Sequence, residues 1–190
     1  MRRLVSMGSE GAARWIVGEP WARVATFDLD KTLLGYRTED VPASVLAALR
    51  DLVASGRKIV LVSNAHGVRV NRVRRVAATI GEYTGAPCGV VVPADAGDKI
   101  KPDPGMFRVA AERAGVEPTA CVHVGDQLFK DIWGAERAGF GATVLVRPTG
   151  DGDHLGVRYL QRPLETLARP WLGYPLVTRR FPVKARLVRG

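Results

Sequence analysis

The chain reads Val-Ala-Thr-Phe-Asp-Leu-Asp-Lys-Thr-Leu from Val24 to Leu33. The apolar run at its start is typical of a short strand buried on both faces, and two carboxylates follow where that strand ends. Alternate strand residues point the same way, so Asp28 and Asp30 can reach one small volume. Crowded carboxylates repel unless a cation lies between them or one holds a proton. The stretch therefore predicts either a Mg²⁺ site or an acid beside a nucleophile, unless both acids simply face solvent.

Strands and helices alternate outward from this stretch. Short apolar runs predict five strands, at 24–27, 58–62, 89–92, 120–124 and 142–146. Apolar stripes at helical spacing predict helices at 10–17, from Pro42 to before Gly56, at 73–80 with Gly81 as the stop, from Asp103-Pro104 to before Gly115, at 132–138 and at 155–167. Such alternation requires right-handed crossovers, so the predicted fold is α/β: a three-layer, Rossmann-like parallel sheet with helices on both faces.

Polar side chains stand where the predicted strands end. In parallel sheets of this kind the chemistry gathers at the carboxyl ends of the strands. The residues at these ends, or just before the helix at 103, are Asp28, Asp30, Ser63, Asn64, Lys101, Asp126 and Asp131. Together they offer a carboxylate nucleophile, a second carboxylate for proton transfer, acids for Mg²⁺ and donors for phosphate oxygens. The set predicts phosphoryl transfer.

The four motifs resemble, in order, those of the haloacid dehalogenase (HAD) superfamily of phosphatases. They are Phe27-Asp28-Leu29-Asp30-Lys31-Thr32-Leu33, Val62-Ser63-Asn64, Lys101-Pro102, and Val124-Gly125-Asp126 with Asp131. The run from Val124 to Asp131, with the glycines and alanines at 134–139, is similar to the class IIIA branch, which contains YqeG-type proteins and phosphatidylglycerophosphatases. The resemblance covers residues 22–165. Lys31 and Ala65-His66 depart from that branch, which usually has Asn at position 31 and a second Asn after Asn64.

The resemblance implies a role for each acid of the first and fourth motifs. Asp28 would attack phosphorus and become an aspartyl-phosphate. Asp30 would protonate the leaving alcohol and then deprotonate the hydrolytic water. The cofactor would be Mg²⁺, held by the Asp28 carboxylate, the Asp30 backbone carbonyl and Asp126. Asp131 would orient the lysine of the third motif or ligate the metal through water.

The remaining motif residues are implied to bind the phosphoryl group. Ser63 and Asn64, with backbone N–H groups nearby, would hold its oxygens, and Lys101 would offset the charge that develops on it. Lys99 is the alternative for this lysine, but a proline follows Lys101 as the family pattern requires.

Chain length between the motifs bears on the substrate. About eight residues separate Leu33 from Pro42, and one helix, one strand and their connections use up the residues from Ser63 to Lys101. No sizeable cap domain fits, so the site should be open to large substrates. The favoured substrate is a phosphate on a lipid, such as phosphatidylglycerophosphate. The alternatives are a nucleotide or nucleic-acid-end phosphatase, or a basic RNA-binding protein on a HAD scaffold.

Basic charge is concentrated near the C-terminus. The net charge is +9, and residues 166–190 hold six basic residues and no acidic one. With the family resemblance, this charge distribution predicts three segments. They are an N-terminal extension at 1–21, the HAD-like core at 22–168, and a basic tail with aromatics at 169–190. The tail could contact an anionic membrane peripherally or bind nucleic acid, or it could be a solvated basic face.

The location predicted for the protein is the cytoplasm, with peripheral contact to a membrane. No run of 18 apolar residues exists that could span a bilayer. Cys88 and Cys121 lie in or beside apolar stretches and are predicted to be small core residues in a reducing compartment. His123 lies within the fourth predicted strand and is likewise predicted to be a core residue.

Overall fold

The computed structural model describes residues 1–6, 8–36, 38–148 and 186–188. The strands are β1 (Arg2–Ser6), β2 (Val24–Phe27), β3 (Lys58–Val62), β4 (Cys88–Val91), β5 (Cys121–Gly125), β6 (Ala142–Val146) and β7 (Arg186–Val188). The helices are α1 (Ser9–Val17), α2 (Ala43–Ala54), α3 (Arg69–Thr84), α4 (Gly105–Ala114) and α5 (Trp133–Arg137). All five predicted strands are present within one residue of their predicted bounds.

The strands form one sheet in the order β4-β3-β2-β5-β6-β1-β7. All neighbours are parallel except β7, which runs antiparallel to β1. The strand β2 lies between β3 and β5, with Phe27 opposite Leu61 on one side and Val124 on the other. The carboxyl ends of β2, β3 and β5 therefore meet at one edge, and that edge is where the motif residues lie.

Helices cover both faces of the sheet, as predicted. One core contains residues of α1, α2 and α3 packed on Ala25 and Phe27, and the other contains residues of α4 and α5 packed on Val24. Since alternate strand residues face opposite sides, near-continuous apolar strands feed both cores at once. Three layers result, and the described chain carries no inserted cap: only α3 joins β3 to β4, and a short loop joins β2 to α2.

Four local predictions differ from the structure. Residues 186–188 were predicted as part of a basic tail, yet they form β7, which pairs with β1. No strand was predicted before residue 24, yet β1 pairs with β6, so residues 1–21 contribute a strand and a helix to the core layers. The helix predicted to stop at Gly81 continues to Thr84 and ends at Gly85, whose φ of 75° is a left-handed cap. The helix predicted at 132–138 is preceded by a π-helical turn at Leu128–Ile132.

Several predictions lie outside the described residues: the helix at 155–167, the boundary at 168 and the aromatic and basic side chains of the tail. Within the described part of the chain, no helix combines the length and apolarity that crossing a bilayer would need. Cys88 and Cys121 are both free thiols, and Cys121 and His123 are buried as predicted.

Candidate active site

Asp28 is held at the end of β2 by its neighbours on both sides. Its backbone N–H donates to the Val124 carbonyl at 2.9 Å, which continues the pairing with β5 for one residue. Thr32 donates its hydroxyl to Asp28 Oδ2 at 3.4 Å. The Asp28 side chain is only 12% exposed. A carboxylate is thus fixed where the three central strands end.

Lys101 lies between two carboxylates. Its Nζ donates to Asp28 Oδ1 at 2.5 Å and to Asp131 Oδ1 at 2.7 Å, and its side chain is 3% exposed. Burial opposes the charge of the ammonium group, but Asp131 and Asp28 outweigh it and raise the Lys101 pKa above its usual range. Lys101 is therefore a fixed buried cation beside the carboxylate predicted to attack phosphorus, whereas Lys99 is exposed.

Three carboxylates meet at this lysine. Asp28, Asp126 and Asp131 each place an oxygen within 4.8 Å of the others. Burial raises the pKa of Asp28 to about 7, with Asp131 and Asp126 adding to the rise and Lys101 opposing it. For Asp131 burial acts in the same direction, but the interactions with Lys101 and His123 together outweigh it, and the Asp131 pKa lies below its usual range.

The chemistry of this donor set fits Mg²⁺. Hard oxygen ligands from one or two carboxylates are what this cation takes in proteins. One lysine does not neutralise three carboxylates, so a divalent cation would relieve the remaining repulsion. Asp131 already accepts hydrogen bonds from Lys101 and from the Gln127 backbone N–H, at 3.0 Å to Oδ2. Asp28 likewise accepts from Lys101 and Thr32, so the choice of Asp28 and Asp126 as direct ligands stays a prediction.

Asp30 lies outside the three-carboxylate cluster. Its two oxygens accept hydrogen bonds from the Arg72 guanidinium, at 2.8 Å from Nη2 to Oδ1 and 3.2 Å from Nη1 to Oδ2. The Asp30 side chain is 35% exposed, far more than that of Asp28. A group at the mouth of the site, between the buried nucleophile position and solvent, suits proton exchange with a substrate oxygen or water.

Ser63 and Asn64 follow β3 at the same edge of the sheet. Ser63 is buried, and its backbone N–H donates to the Val91 carbonyl at 3.0 Å. Asn64 Oδ1 accepts from the Lys101 backbone N–H at 2.8 Å, and Asn64 Nδ2 donates to the Lys101 carbonyl at 3.2 Å. The side chain of Asn64 thus holds Lys101, and the phosphate contacts of both residues stay a prediction.

Sequence reasoning missed the residues that support this site. Thr32 was quoted in the motif without a role, and Arg72 was not among the predicted site residues. His123 was predicted for the core, but its Nε2 also lies 3.7 Å from Asp131 Oδ1, and its Nδ1 lies 2.8 Å from Thr26 Oγ1. Burial lowers the His123 pKa, which favours a neutral ring. Strand register could have placed His123, since it lies opposite Thr26, two residues before Asp28.

Comparison with known proteins agrees with this geometry. The family model of haloacid dehalogenase-like hydrolases matches residues 28–139, which run from Asp28 to the turn after α5. The chain belongs to this hydrolase family. The matched range covers the predicted site residues from Asp28 to Asp131.

Individual relatives match shorter parts of the chain. Glyceraldehyde 3-phosphate phosphatase of Methanopyrus kandleri is 55% identical over 47 residues, which are 25% of this chain and 20% of that protein. Haloacid dehalogenase-like hydrolase domain-containing protein 3 of Danio rerio is 40% identical over 57 residues, 30% of this chain and 24% of that protein. The matched parts span only a fifth to a quarter of these curated relatives.

A solved structure of the same fold extends the likeness to most of the chain. The predicted phosphoglycolate phosphatase from Haemophilus somnus superposes with a TM-score of 0.52 at 17% identity, over 67% of this chain and 85% of that one. At this identity the likeness concerns the fold, which is the three-layer HAD-like architecture described above.

Proposed function

We propose that this protein is a Mg²⁺-dependent phosphatase that hydrolyses a phosphomonoester through an aspartyl-phosphate on Asp28. The observation that carries the proposal is the buried Lys101 Nζ, hydrogen-bonded to Asp28 and Asp131 at 2.5 and 2.7 Å. A fixed cation there can balance the negative charge of a phosphoryl group as it reaches the nucleophile. The relative from Methanopyrus kandleri, named as a phosphatase, supports the same reaction class.

The reaction would proceed in two displacements at phosphorus. In the first, an Asp28 carboxylate oxygen bonds to phosphorus, the bond to the ester oxygen breaks, and Asp30 gives that oxygen a proton. In the second, Asp30 takes a proton from water as the water oxygen bonds to phosphorus. The phosphorus–Asp28 bond breaks in the same displacement, which releases inorganic phosphate and restores the Asp28 carboxylate and the protonated Asp30.

The metal would be held by Asp28, Asp126 and the backbone carbonyl of Asp30. Bound Mg²⁺ would supply Lewis-acid polarisation and charge neutralisation at the phosphoryl oxygens. Lys101 would share that electrostatic task, and Ser63 and Asn64 would contribute donors at the end of β3.

The proposed substrate is a large one, with phosphate on a lipid favoured. The described chain has no cap over the site, and large apolar side chains are exposed beside three motifs: Val68 at 86%, Ile100 at 49% and Phe129 at 37%. Exposed cations accompany them at Arg69 and Lys99. Apolar side chains with cations suit contact with an anionic lipid surface, and a class IIIA phosphatidylglycerophosphatase would have this requirement.

Assays with and without Mg²⁺ test the reaction. Wild-type protein should release phosphate from p-nitrophenyl phosphate, and Asp28→Asn should reduce the rate by several orders of magnitude, because the amide lacks an anionic attacking oxygen. Asp51→Asn, an exposed aspartate on α2, is the matched control and should keep full activity. If Asp28→Asn kept more than a tenth of wild-type activity, the covalent mechanism would be wrong.

A substrate panel tests the class. It should contain phosphatidylglycerophosphate, nucleoside monophosphates, a 5′-phosphorylated oligonucleotide and glyceraldehyde 3-phosphate. The lipid should give the highest kcat/KM. Preference for a nucleotide or an oligonucleotide end would favour the second function, and RNA binding without hydrolysis of any ester would favour a binding protein on this scaffold.

Membrane contact has its own test, sedimentation with phosphatidylglycerol vesicles. Val68→Ser with Phe129→Ser should weaken sedimentation, while turnover of p-nitrophenyl phosphate persists. Unchanged sedimentation of this double variant would contradict membrane contact.

A further inference from the structure

Arg72 connects three separate parts of the chain next to the candidate site. It lies in the first turn of α3, and its guanidinium donates to both oxygens of Asp30. Its Nε also donates to the Thr38 carbonyl at 2.9 Å. The side chain is 16% exposed. All three guanidinium nitrogens therefore have partners. The partners are the carboxylate of Asp30 in motif one and the carbonyl of Thr38 in the loop that follows.

A second arginine of α3 holds the same loop. Arg75 Nε donates to Glu39 Oε2 at 2.9 Å, and Nη2 donates to Oε1 at 2.5 Å. Both side chains of this pair are well exposed, and Arg75 has no contact with Asp30 among the described hydrogen bonds. Two arginines of α3 thus bind residues 38–40, which we call the 38–40 loop. Of these two arginines, only Arg72 also binds Asp30.

The Arg72 pair matters for orientation more than for stability. A partly exposed ion pair adds little to the stability of a fold. A planar guanidinium that binds both carboxylate oxygens, however, fixes the direction of the carboxylate as well as its distance. The Asp30 backbone is also fixed, by a bridge to Leu34. The main chain and the carboxylate of Asp30 are therefore both held in place.

We propose that Arg72 is a positioning residue for the proton-transfer steps, holding Asp30 and the 38–40 loop in the orientation those steps need. The proposal rests on the proposed function, since it assigns Asp30 the proton-transfer role. Arg72 itself touches neither the nucleophile nor the lysine in the described contacts. Its effect would pass through Asp30, so its loss should slow proton transfer and leave the Asp28–Lys101–Asp131 cluster intact.

The test compares Arg72→Gln with Arg72→Lys, Arg75→Gln and Arg74→Gln, the last being an exposed arginine of the same helix. For an alkyl phosphate such as glycerol phosphate, both displacements need Asp30, so Arg72→Gln should lower kcat about 100-fold with KM little changed. Lysine keeps the positive charge but cannot bind both carboxylate oxygens in the same way, so kcat of Arg72→Lys should lie between those of Arg72→Gln and wild type. Arg74→Gln and Arg75→Gln should stay within about threefold of wild type.

Pre-steady-state kinetics separate mispositioning from general damage. p-Nitrophenolate leaves without a proton, so Arg72→Gln should form the aspartyl-phosphate at a near-normal rate and then hydrolyse it slowly. A burst of about one p-nitrophenolate per site should appear. A merely structural defect would lower the active fraction without changing the ratio of burst rate to steady rate, and that result would overturn the proposal.

Hydrogen exchange of peptides covering residues 34–42 gives a readout that needs no activity. Exchange should accelerate in Arg72→Gln and not in Arg74→Gln. Unchanged exchange in Arg72→Gln would show that Arg72 does not hold the 38–40 loop, whatever the kinetics. Wild-type protein inactive on every ester would overturn the proposed function and the catalytic part of this proposal, and the exchange comparison would still decide whether Arg72 holds the loop.

Discussion

The side-chain amide of Asn64 makes two hydrogen bonds to the backbone of Lys101. The amide oxygen of Asn64 accepts from the Lys101 N–H at 2.8 Å, and its amide nitrogen donates to the Lys101 carbonyl at 3.2 Å. This fixes the main chain of a residue whose Nζ bridges two buried carboxylates. The end of β3 thus determines where the active-site cation lies, although the two residues are 37 positions apart.

Asn64→Ala should therefore damage both stability and activity. Two backbone groups of Lys101 lose their partners, at a cost of about 1–3 kcal/mol. Lys101 would also lose its fixed position, and displacement of a catalytic group by about 1 Å can cost about 100-fold in rate. Thermal unfolding and p-nitrophenyl phosphate turnover measure the two effects.

The matched control is Asn71→Ala, an exposed asparagine on α3. It should leave melting temperature and rate unchanged. Equal activity of the Asn64 and Asn71 variants would show that Lys101 is placed without this contact.

The pKa of Asp28 makes a prediction about stability in EDTA, where the protein holds no divalent cation. Burial raises this pKa from 3.8 to about 7, so the folded protein retains a proton that the unfolded chain loses in this range. The Asp28 contribution to stability is present below pH 4 and is lost as the pH rises to about 7. Asp28→Asn cannot lose this contribution. Its free energy of unfolding relative to that of wild type should therefore rise by a few kcal/mol between pH 4 and 7, at about 1.4 kcal/mol per pKa unit.

Taking the difference between variant and wild type isolates Asp28. The lowered pKa of His123 gives a stability change of opposite sign below pH 6.5, and this change is common to both proteins. Asp51→Asn should give a flat difference from pH 4 to 8. A flat difference for Asp28→Asn in urea titrations would contradict the raised pKa.

The central elements of the fold were predictable because their apolar runs leave few alternatives. Lys58–Val62 and Ala142–Val146 agree with the structure at both ends, since each run is buried on both sides of the sheet. β1 was missed because Arg2 and Arg3 make it look polar. Arg3 is accommodated by Glu136, to which its Nε donates at 2.8 Å, a partner 133 residues away.

The meeting of the carboxylates after β2 and β5 was predictable for a different reason: parallel strands bring their carboxyl ends together, whatever the details of packing. Lys101 lies in the segment before α4 and was predicted from the resemblance of Lys101-Pro102 to the third motif. The partners of these residues were not predictable. The Arg72–Asp30 and Asn64–Lys101 pairs depend on how α3 and the segment before α4 lie over the strand ends. No local pattern distinguishes Arg72 from Arg69, Arg74 or Arg75.

The donor set predicts a thermal response to Mg²⁺. A ligand at free concentration c that binds only the folded state stabilises it by RT ln(1 + c/Kd), which is about 2.7 kcal/mol at a ligand concentration of 100 times Kd. Wild-type protein should melt several degrees higher in excess Mg²⁺ than in EDTA. Asp126→Asn should lose most of this shift and most phosphatase activity, whereas Asp51→Asn should keep both. A full Mg²⁺ shift in Asp126→Asn would remove Asp126 from the metal site.

Replacing Gly125 with alanine should displace Asp131 from its place in the candidate site. A Cβ placed there would lie 2.5 Å from Asp131 Cγ and 2.7 Å from Asp131 Oδ2, so the aspartate cannot keep its place. Gly125→Ala should cost roughly 1–3 kcal/mol through overpacking and should lower activity by displacing Asp131 from Lys101. Gly8→Ala is the control, because its Cβ would meet nothing within 4 Å and its φ of −170° suits alanine. If Gly125→Ala kept wild-type melting temperature and rate, the contact between Asp131 and Lys101 would not be needed for the reaction.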